Sequence, residues 1–182
     1  MFRRKVAPGI EIRQFEMRDV EPTFAAVERN REYLRQWLPW VDYTRTADDL
    51  RHFISRVQTQ FDANQGPQAG IWVNGQFSGS LGCHAIDWAN RNSSIGFWVD
   101  AAQQGQGLIT RCCAVMLDYL FHEMALHRLV AAEQVLVDAS PDVVESRHAV
   151  GGGGTLVEDP GLGTLALGQG AREDIVRLPA GQ

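Results

Sequence analysis

The feature that most constrains the fold is a glycine-rich turn, Gln104-Gly105-Gln106-Gly107, that lies between a strand pattern and a helix pattern. The apolar stretch Ser93 to Val99 precedes the turn, and a helical pattern then continues to about Met124. Such a unit exposes the first N–H groups of the helix, which have no partner within it. The helix dipole adds partial positive charge there, so the unit can bind a phosphate. A plain tight turn without a ligand is the alternative interpretation.

Two other phosphate-binding motifs fit this turn less well. The P-loop has Lys and then Ser or Thr after its last glycine, whereas Leu108 and Ile109 follow the turn here. The dinucleotide fingerprint has a third small residue where this chain has Thr110, and its acid would correspond only loosely to Glu133. A nucleotide-binding protein is therefore the interpretation that the turn favours least.

Hydrophobic periodicity predicts the elements near the N-terminus. Alternating residues from Ile10 to Phe15 predict the first strand. Asp19 is expected to be the N-cap of a helix, with Pro22 in its first turn, where a missing N–H costs nothing. A second short helix is predicted before Pro39. It would carry Tyr33, Leu34, Trp37 and Leu38.

The middle of the chain has an amphipathic helix pattern and a hairpin signal. Thr46 and Asp49 resemble a capping box at the start of the helix. Asn74-Gly75 is typical of a two-residue hairpin turn, between strands near Ala69 to Val73 and Gln76 to His84. The predicted buried face of the amphipathic helix is Leu50, Phe53, Ile54, Val57 and Phe61, and that of the later helix, 107–124, is Ile109, Cys113, Met116, Leu120 and Met124.

Five stretches, in order, resemble the GNAT acetyltransferase superfamily, and within it the branch that acetylates ribosomal-protein N-termini. They are Asn30 to Trp40, Ala69 to Trp72, His84 to Arg91, Ser94 to Val99 and the glycine turn, which together cover about residues 10–128. One departure is Ala102, where the wider superfamily often has Gln or Arg. The resemblance implies an α+β fold (a three-layer α/β arrangement) with a mixed, mainly antiparallel sheet flanked by helices.

The resemblance also implies acetyl transfer from acetyl-CoA, as co-substrate and without a metal, to an amine. In the family, backbone N–H groups of the glycine turn bind the pyrophosphate, and the preceding strand binds pantetheine and steadies the thioester oxygen. The strand positions are Phe97, Trp98 and Val99, which are also typical of a core strand. The turn positions are Gln104, Gly105, Gln106, Gly107, Leu108 and Ile109.

On the acceptor side, the resemblance points to Trp37, Trp40, His84 and Asp87 as substrate-binding candidates. In the family, the segment that contains Trp37 and Trp40 forms a wall of the acceptor cleft, and a hydrophobic plug over the sheet is the alternative. His84 and Asp87 lie near the expected cleft, although a lone His at a strand end is more often structural. No catalytic residue is named, because the family's acid comes from a segment that has no recognisable counterpart here.

The character of the chain changes after Arg128. All aromatic residues lie at or before Phe121, and half of the 18 glycines lie from Gly151 onward. Leu129 to Val137 is predicted as a last strand, which sets a GNAT-like domain at 1–137. Residues 138–182 form an atypical Gly-rich segment, expected to be frameshifted or disordered, with at most a helical turn near Asp142 to Val150.

Composition limits the remaining functional classes. With 182 residues and a net charge of −5, the chain suits one domain without a nucleic-acid surface. No apolar run is long enough to span a membrane, and three cysteines without a metal-binding spacing favour a reduced, cytoplasmic protein. The oligomeric state is open, with a homodimer as one option. The leading function is an N-acetyltransferase acting on a protein N-terminus, such as that of a ribosomal protein, or on a small amine; a catalytically impaired acyl-CoA-binding module is the alternative.

Overall fold

A mixed β-sheet organises the protein. The computed structural model describes residues 1–131, 154–159 and 163–168, and this part of the chain contains eight strands and three α-helices. The helices are α1 (Val20–Leu34), α2 (Ala47–Asp62) and α3 (Leu108–Asp118). The strands are β1 (Arg3–Ala7), β2 (Ile10–Gln14), β3 (Gln68–Val73), β4 (Gln76–Cys83), β5 (Asn92–Val99), β6 (Arg128–Ala131), β7 (Gly154–Asp159) and β8 (Gly163–Gly168).

The strand order is β1-β2-β3-β4-β5-β6-β8-β7. Neighbouring strands from β1 to β5 are antiparallel, and so are β7 and β8. Strand β6 is parallel to both of its neighbours, β5 and β8. The predicted α+β class with a mixed, mainly antiparallel sheet is therefore confirmed.

The N-terminal edge of the sheet differs from the prediction. The predicted first strand is β2, and β1 precedes it at the edge of the sheet. Strand β1 was missed because Arg3, Arg4 and Lys5 are consecutive charged residues, which conceal a strand pattern. Charged side chains are common on edge strands, where they oppose pairing with another chain.

Helix α1 is longer than predicted, and the predicted second short helix is wrong. Tyr33 and Leu34 are the last residues of α1, and the Pro39–Asp42 segment forms only a 3-10 turn. Leu38 is non-helical, with φ −116° and ψ 93°, because the residue before a proline is disfavoured in the helical region. Arg31 then fixes the 3-10 turn by donating to the carbonyls of Val41 at 2.5 Å and Thr44 at 2.6 Å.

Asp19 occupies the N-cap position of α1, but its carboxylate does not cap the helix. It accepts hydrogen bonds from Nη1 and Nη2 of Arg13, at 2.7 and 2.8 Å. Both side chains are buried, and the Arg13 guanidinium lies 4.0 Å from the ring centroid of Trp72. Burial alone would lower the pKa of Arg13, but the hydrogen bonds to Asp19 and the negative charges of Asp19, Glu16 and Glu11 together outweigh it, so the pKa is raised.

The capping box of α2 is confirmed. The Thr46 N–H donates to Asp49 Oδ2 at 2.9 Å, and the Asp49 N–H donates to Thr46 Oγ1 at 3.3 Å. The predicted buried face is narrower than expected, because Phe53 and Phe61 are only partly buried. The fully buried members of that face are Leu50, Ile54 and Val57.

The hairpin, β5 and the following helix agree closely with the sequence. Asn74 and Gly75 have φ of 50° and 79°, as a type I′ turn requires. Strand β5 begins one residue before the predicted start. Helix α3 ends at Asp118 and continues as a π-helical turn to Glu123. Of the two adjacent cysteines, Cys112 is fully buried. Cys113, which was predicted to lie on the buried face, is only partly buried.

The sheet separates two hydrophobic clusters. The α3-side cluster is largely aliphatic and includes Ile12, Ile71, Leu81, Ile95, Val99, Met116 and Leu120. The α1/α2-side cluster is rich in aromatic rings and includes Phe15, Leu34, Ile54, Trp72, Phe77 and Trp98. The alternating residues of β5 therefore face opposite clusters, as the sequence predicted, with Ile95 and Val99 on one side and Trp98 on the other.

Within the C-terminal segment the structure describes two strands, β7 and β8, which the sequence did not predict. These strands form an antiparallel hairpin, and β8 pairs with β6. A β-ladder is made by backbone groups, so it does not require the aromatic residues that this segment lacks. The predicted strand Leu129 to Val137 corresponds to β6 as far as Ala131. Residues 132–137, the boundary at 137/138 and the helical turn expected near Asp142 to Val150 lie outside the described residues.

In the described part of the chain, each helix is too short or too polar to cross a membrane.

Candidate functional site

The glycine turn connects β5 to the N-terminus of α3. Gly105 and Gly107 have φ of +72° and +63°, which residues with a Cβ rarely adopt. A Cβ built on either glycine would meet no heavy atom within 4 Å. The backbone of the turn is therefore accessible on the side where side chains are missing, so a phosphate group can approach it.

The first turn of α3 provides hydrogen-bond donors at the same place. The Arg111 N–H bonds to the carbonyl of Gly107 at 3.2 Å, which is the first bond of the helix ladder. The N–H groups of Leu108 and Ile109 precede that bond and have no partner four residues earlier in the helix. The Arg111 side chain donates to the carbonyl of Gln106 at 3.2 Å, which places a cation beside the turn. Donors, dipole and cation all favour an anion here.

Strand β5 leads into the turn. Its described pairing with β6 ends where Ile95 lies opposite Ala131, and its pairing with β4 continues to Val99. The candidate residues Phe97, Trp98 and Val99 therefore follow the last described β5–β6 pair. Trp98 and Val99 are buried on opposite faces, and Phe97 is partly buried. Because these side chains pack into the core, any binding role of this segment belongs to its backbone.

Of the two candidate tryptophans, the structure brings only Trp40 to β5. Trp40 is partly buried, and its ring centroid lies 6.5 Å from that of Trp98. Trp37 is 56% exposed, so it does not form a plug over the sheet. Trp40 therefore lies next to the buried Trp98 near the end of β5, and the Phe77 ring centroid lies 5.8 Å from that of Trp98.

His84 follows β4 and lies beside β5. Its backbone N–H donates to the carbonyl of Ser94 at 2.8 Å, and its Nδ1 is hydrogen-bonded to Ser94 Oγ at 2.8 Å. A Cβ on Gly96 would lie 3.2 Å from His84 Cε1 and 3.4 Å from Nε2, so glycine at that position makes room for the ring. Neighbouring atoms desolvate the imidazole, although part of it is exposed, and this lowers the pKa of His84. The ring is therefore mostly neutral at pH 7.

Asp87 has a structural role in the loop between β4 and β5. Its carboxylate accepts from Asn90 Nδ2 at 2.6 Å and from the Asn90 N–H at 3.1 Å. These hydrogen bonds lower the pKa of Asp87, and the bond from the Asn90 side chain has the largest effect. A bridge between Asp87 and Asn92 closes the loop. The arrangement brings His84, rather than the Asp87 carboxylate, onto the surface of β5.

The cysteines are not arranged as reactive or metal-binding groups. Burial raises the pKa of Cys83 to about 11 and that of Cys112 to about 12, so both thiols are protonated at neutral pH. Within the described ranges, His, Cys, Asp and Glu side chains do not gather in groups of three or more that could hold a metal ion.

The sequence did not predict the side chains that bind the backbone just before the glycine turn. Asn30 and Asp100 are both buried polar residues, and both hydrogen-bond to the segment between β5 and the turn. Two sequence signals could have pointed to these residues. Asn30 is a polar residue on an apolar helix face, and Asp100 is an acidic residue directly after a strand. Their partners are far apart along the chain, so the pairing itself was not predictable.

Comparisons with known proteins identify the family. Residues 10–143 match the acetyltransferase (GNAT) domain model, a range that extends past Arg128, where the motif matches end. A putative ribosomal N-acetyltransferase, YdaF, of Bacillus subtilis is 31% identical over 146 residues, which cover 80% of each chain. The ribosomal-protein-serine acetyltransferase of Escherichia coli is 22% identical over 126 residues, covering 69% of this chain and 70% of that one.

A solved structure supports the same assignment. The ribosomal L7/L12 alpha-N-protein acetyltransferase RimL, in complex with coenzyme A, superposes with a TM-score of 0.60 at 25% identity. The match covers 63% of this chain and 66% of that one. The matched domain model, the curated relative at 31% identity and the shared architecture agree. The chain belongs to the GNAT acetyltransferase family and is an acetyl-CoA-dependent N-acetyltransferase.

Proposed function

We propose that the segment Gln104 to Ile109 binds the pyrophosphate of acetyl-CoA and that the acceptor is the α-amino group of a protein N-terminus, such as that of a ribosomal protein. The observation that carries the donor site is the pair of left-handed glycines, Gly105 and Gly107, facing open space at the start of α3. Backbone N–H groups and a helix dipole suit a phosphate better than they suit a neutral ligand.

On the donor side, acetyl-CoA supplies a thioester carbonyl that a neutral amine can attack. The C–N bond forms as the C–S bond breaks, and a proton from the amine nitrogen passes to the sulfur, which leaves as the thiol of CoA. A backbone N–H in the Phe97–Val99 segment would steady the carbonyl oxygen as it gains charge. The buried side chains of Trp98 and Val99 hold that segment rigid, because they anchor it to both clusters.

On the acceptor side, Trp40 and His84 provide different kinds of contact. Trp40 offers an apolar wall next to Trp98. His84 offers a neutral imidazole beside Gly96, one residue before the Phe97–Val99 segment. A neutral imidazole can accept the proton that the acceptor ammonium must lose before its nitrogen can attack, directly or through a water. We assign that proton transfer to His84, which Ser94 orients through Nδ1.

Relatives support a protein N-terminus as the acceptor. The Escherichia coli relative is named a ribosomal-protein-serine acetyltransferase, and the solved structure is of an enzyme named for ribosomal L7/L12. We extend this class of acceptor to the present chain. A thiol-release assay across peptides with Ser, Ala or Met at the N-terminus, with the same peptides N-formylated as controls, measures it. Turnover of small amines alone would overturn the peptide assignment, and CoA binding without turnover would favour a binding module.

The donor site is tested by Gly105→Val and Gly107→Val. Each variant should abolish measurable CoA binding by isothermal titration, because a β-branched side chain would project into the phosphate approach and strain a left-handed position. Gly75→Val is the matched control, since Gly75 has φ +79° and equally open space at the hairpin, away from the site. The control should lose stability but retain CoA affinity. Parent-like CoA affinity in folded Gly105 and Gly107 variants would refute the site.

The role of His84 is tested by His84→Gln. We expect kcat to fall by about 10²–10⁴-fold, with CoA affinity unchanged, because only proton transfer is removed. Since the pKa of His84 is lowered from about 6.5, the parent rate should stay level at neutral pH and decline only below that value. Asp87→Asn serves as the comparison and should retain the parent pH profile. An identical acid limb in parent and His84→Gln would exclude His84 as the base.

A further inference from the structure

We propose that Asn30 is a positioning residue for the glycine turn. By tying the segment between β5 and the turn to α1, it sets the direction in which Gly105 to Ile109 present their backbone. The proposal rests on the anion-binding role of the turn proposed above. Asn30 lies 71 residues before Ala101, whose N–H it binds, so this hydrogen bond is a tertiary contact.

The Asn30 amide is fixed by two hydrogen bonds of opposite polarity. Its Oδ1 accepts the N–H of Ala101 at 3.0 Å, and its Nδ2 donates to the carbonyl of Ala26, one turn earlier in α1, at 2.8 Å. Asn30 as a whole is only 4% exposed. Rotating the amide by half a turn would place donor against donor and acceptor against acceptor, so only one orientation satisfies the site.

Asp100 provides a second tie at the same place. Its Oδ1 accepts the N–H of Ala102 at 3.0 Å, and its Oδ2 accepts from Nε of Arg29 at 2.6 Å. The Asp100 N–H donates to the carbonyl of Ser78 in β4 at 2.8 Å. Arg29 and Asn30 are consecutive in α1, so one turn of this helix holds both Asp100 and Ala101.

These ties account for every backbone N–H that leads into the turn. Asp100, Ala101 and Ala102 donate to Ser78, Asn30 and Asp100 respectively. The N–H of Gln103 then donates to the carbonyl of Asp100 at 2.8 Å, and that of Gln104 to the carbonyl of Ala101 at 3.4 Å. The backbone N–H groups from Asp100 to Gln104, the first residue of the turn, thus bond within the protein. The N–H donors for a ligand come from residues after Gln104, such as Leu108 and Ile109 at the start of α3.

A turn that contains two glycines needs such support. Glycine restricts its own backbone least, so the turn alone would sample many directions at little cost. An anion site gains affinity when its donors are held in the binding geometry before the ligand arrives. The buried Asn30 tie provides that restraint without touching the ligand, which makes Asn30 a positioning residue rather than a binding one.

The test compares Asn30→Ala with Thr23→Ala. Thr23 is in the same helix and is equally buried, at 4% exposed, but its hydroxyl has no hydrogen-bond partner among the described residues. By isothermal titration, Asn30→Ala should weaken CoA binding by about tenfold, the effect of about 1.4 kcal/mol. Thr23→Ala should stay within about twofold of the parent at a similar melting temperature. A parent-like affinity for Asn30→Ala, or an equal loss in Thr23→Ala, would overturn the proposal.

Hydrogen exchange gives a readout that general destabilisation would not produce. In Asn30→Ala, exchange should accelerate over 101–107 while the N–H groups of α1 and β3 keep the protection of the parent. Uniform acceleration across the chain, or unchanged exchange over 101–107, would contradict a positioning role. This measurement needs no ligand, so a parent chain that fails to bind CoA would refute the proposed donor site while the positioning of the turn is still decided.

Discussion

The two faces of the sheet are built from different chemistry. On the α3 side, aliphatic residues such as Ile71, Leu81 and Met116 fill the space between sheet and helix. On the α1/α2 side, Trp72, Phe77 and Trp98 make edge-to-face contacts, with ring centroids 5.4–5.8 Å apart. The α1/α2 side also contains the buried, hydrogen-bonded polar residues Arg13, Asp19 and Asn30.

The difference separates two tasks. The α3 face only has to hold a helix against the sheet, and non-directional burial is sufficient for that. On the α1/α2 face, directional hydrogen bonds also connect α1 to the chain after β5 and to the chain around Trp40. Arg31 donates to the carbonyl of Val41, next to Trp40, while Asn30 accepts the N–H of Ala101, which precedes the glycine turn. Specific polar partners on one face and interchangeable apolar ones on the other should therefore respond differently to substitution.

The largest expected difference between the faces comes from Asp19→Ala against Met116→Leu. Asp19→Ala removes the buried carboxylate that makes the two short hydrogen bonds to Arg13 and leaves the guanidinium only the longer contacts with Glu16 and Glu11, which should cost about 3–5 kcal/mol of unfolding free energy. Met116 is fully buried on the α3 side, yet a volume-conserving change to Leu should cost less than about 1.5 kcal/mol. Urea denaturation with a common slope measures both.

A double variant checks the cause of that loss. Adding Arg13→Met to Asp19→Ala removes the buried charge that has lost its closest partner and fills part of the space with apolar atoms, so the double variant should be more stable than Asp19→Ala alone. If the double variant is as unstable as the single one, the buried charge is not the source of the loss, and the proposed contrast between the faces fails.

Much of the fold was predictable because it depends on local signals. The Asn74-Gly75 turn, the Thr46–Asp49 capping box and the glycine turn each combine a residue type with a backbone conformation that few others adopt. Alternation along β5 assigned its two faces correctly for the same reason, since side-chain direction in a strand follows directly from spacing.

The parts that failed depend on distant partners. Asp19 is a good N-cap by type, but Arg13 binds its carboxylate once β2 and α1 are in place. The prediction of a short helix before Pro39 did not include the hydrogen bonds that Arg31 donates to the carbonyls of Val41 and Thr44. Edge strand β1 and the hairpin of β7 and β8 form by backbone pairing, which side-chain periodicity does not report.

A smaller effect is expected at the edge of the α1/α2-side cluster, where α2 packs on the sheet. Ile54 and Phe53 are neighbours in α2, but Ile54 is fully buried, whereas Phe53 lies at the rim and meets Phe15 edge-on at 5.6 Å. Ile54→Ala should cost about 2–5 kcal/mol, because it leaves a cavity.

Phe53→Ala should cost about 1–2 kcal/mol, since only part of the ring's burial and one aromatic contact are lost. The sequence pattern alone treated both residues as core, which would make Phe53→Ala the costlier change at about 3–5 kcal/mol. Denaturation of the two variants under identical conditions separates these outcomes. A larger loss for Phe53→Ala than for Ile54→Ala would mean that α2 is rotated toward Phe53, and that the α1/α2 face extends further than its buried residues indicate.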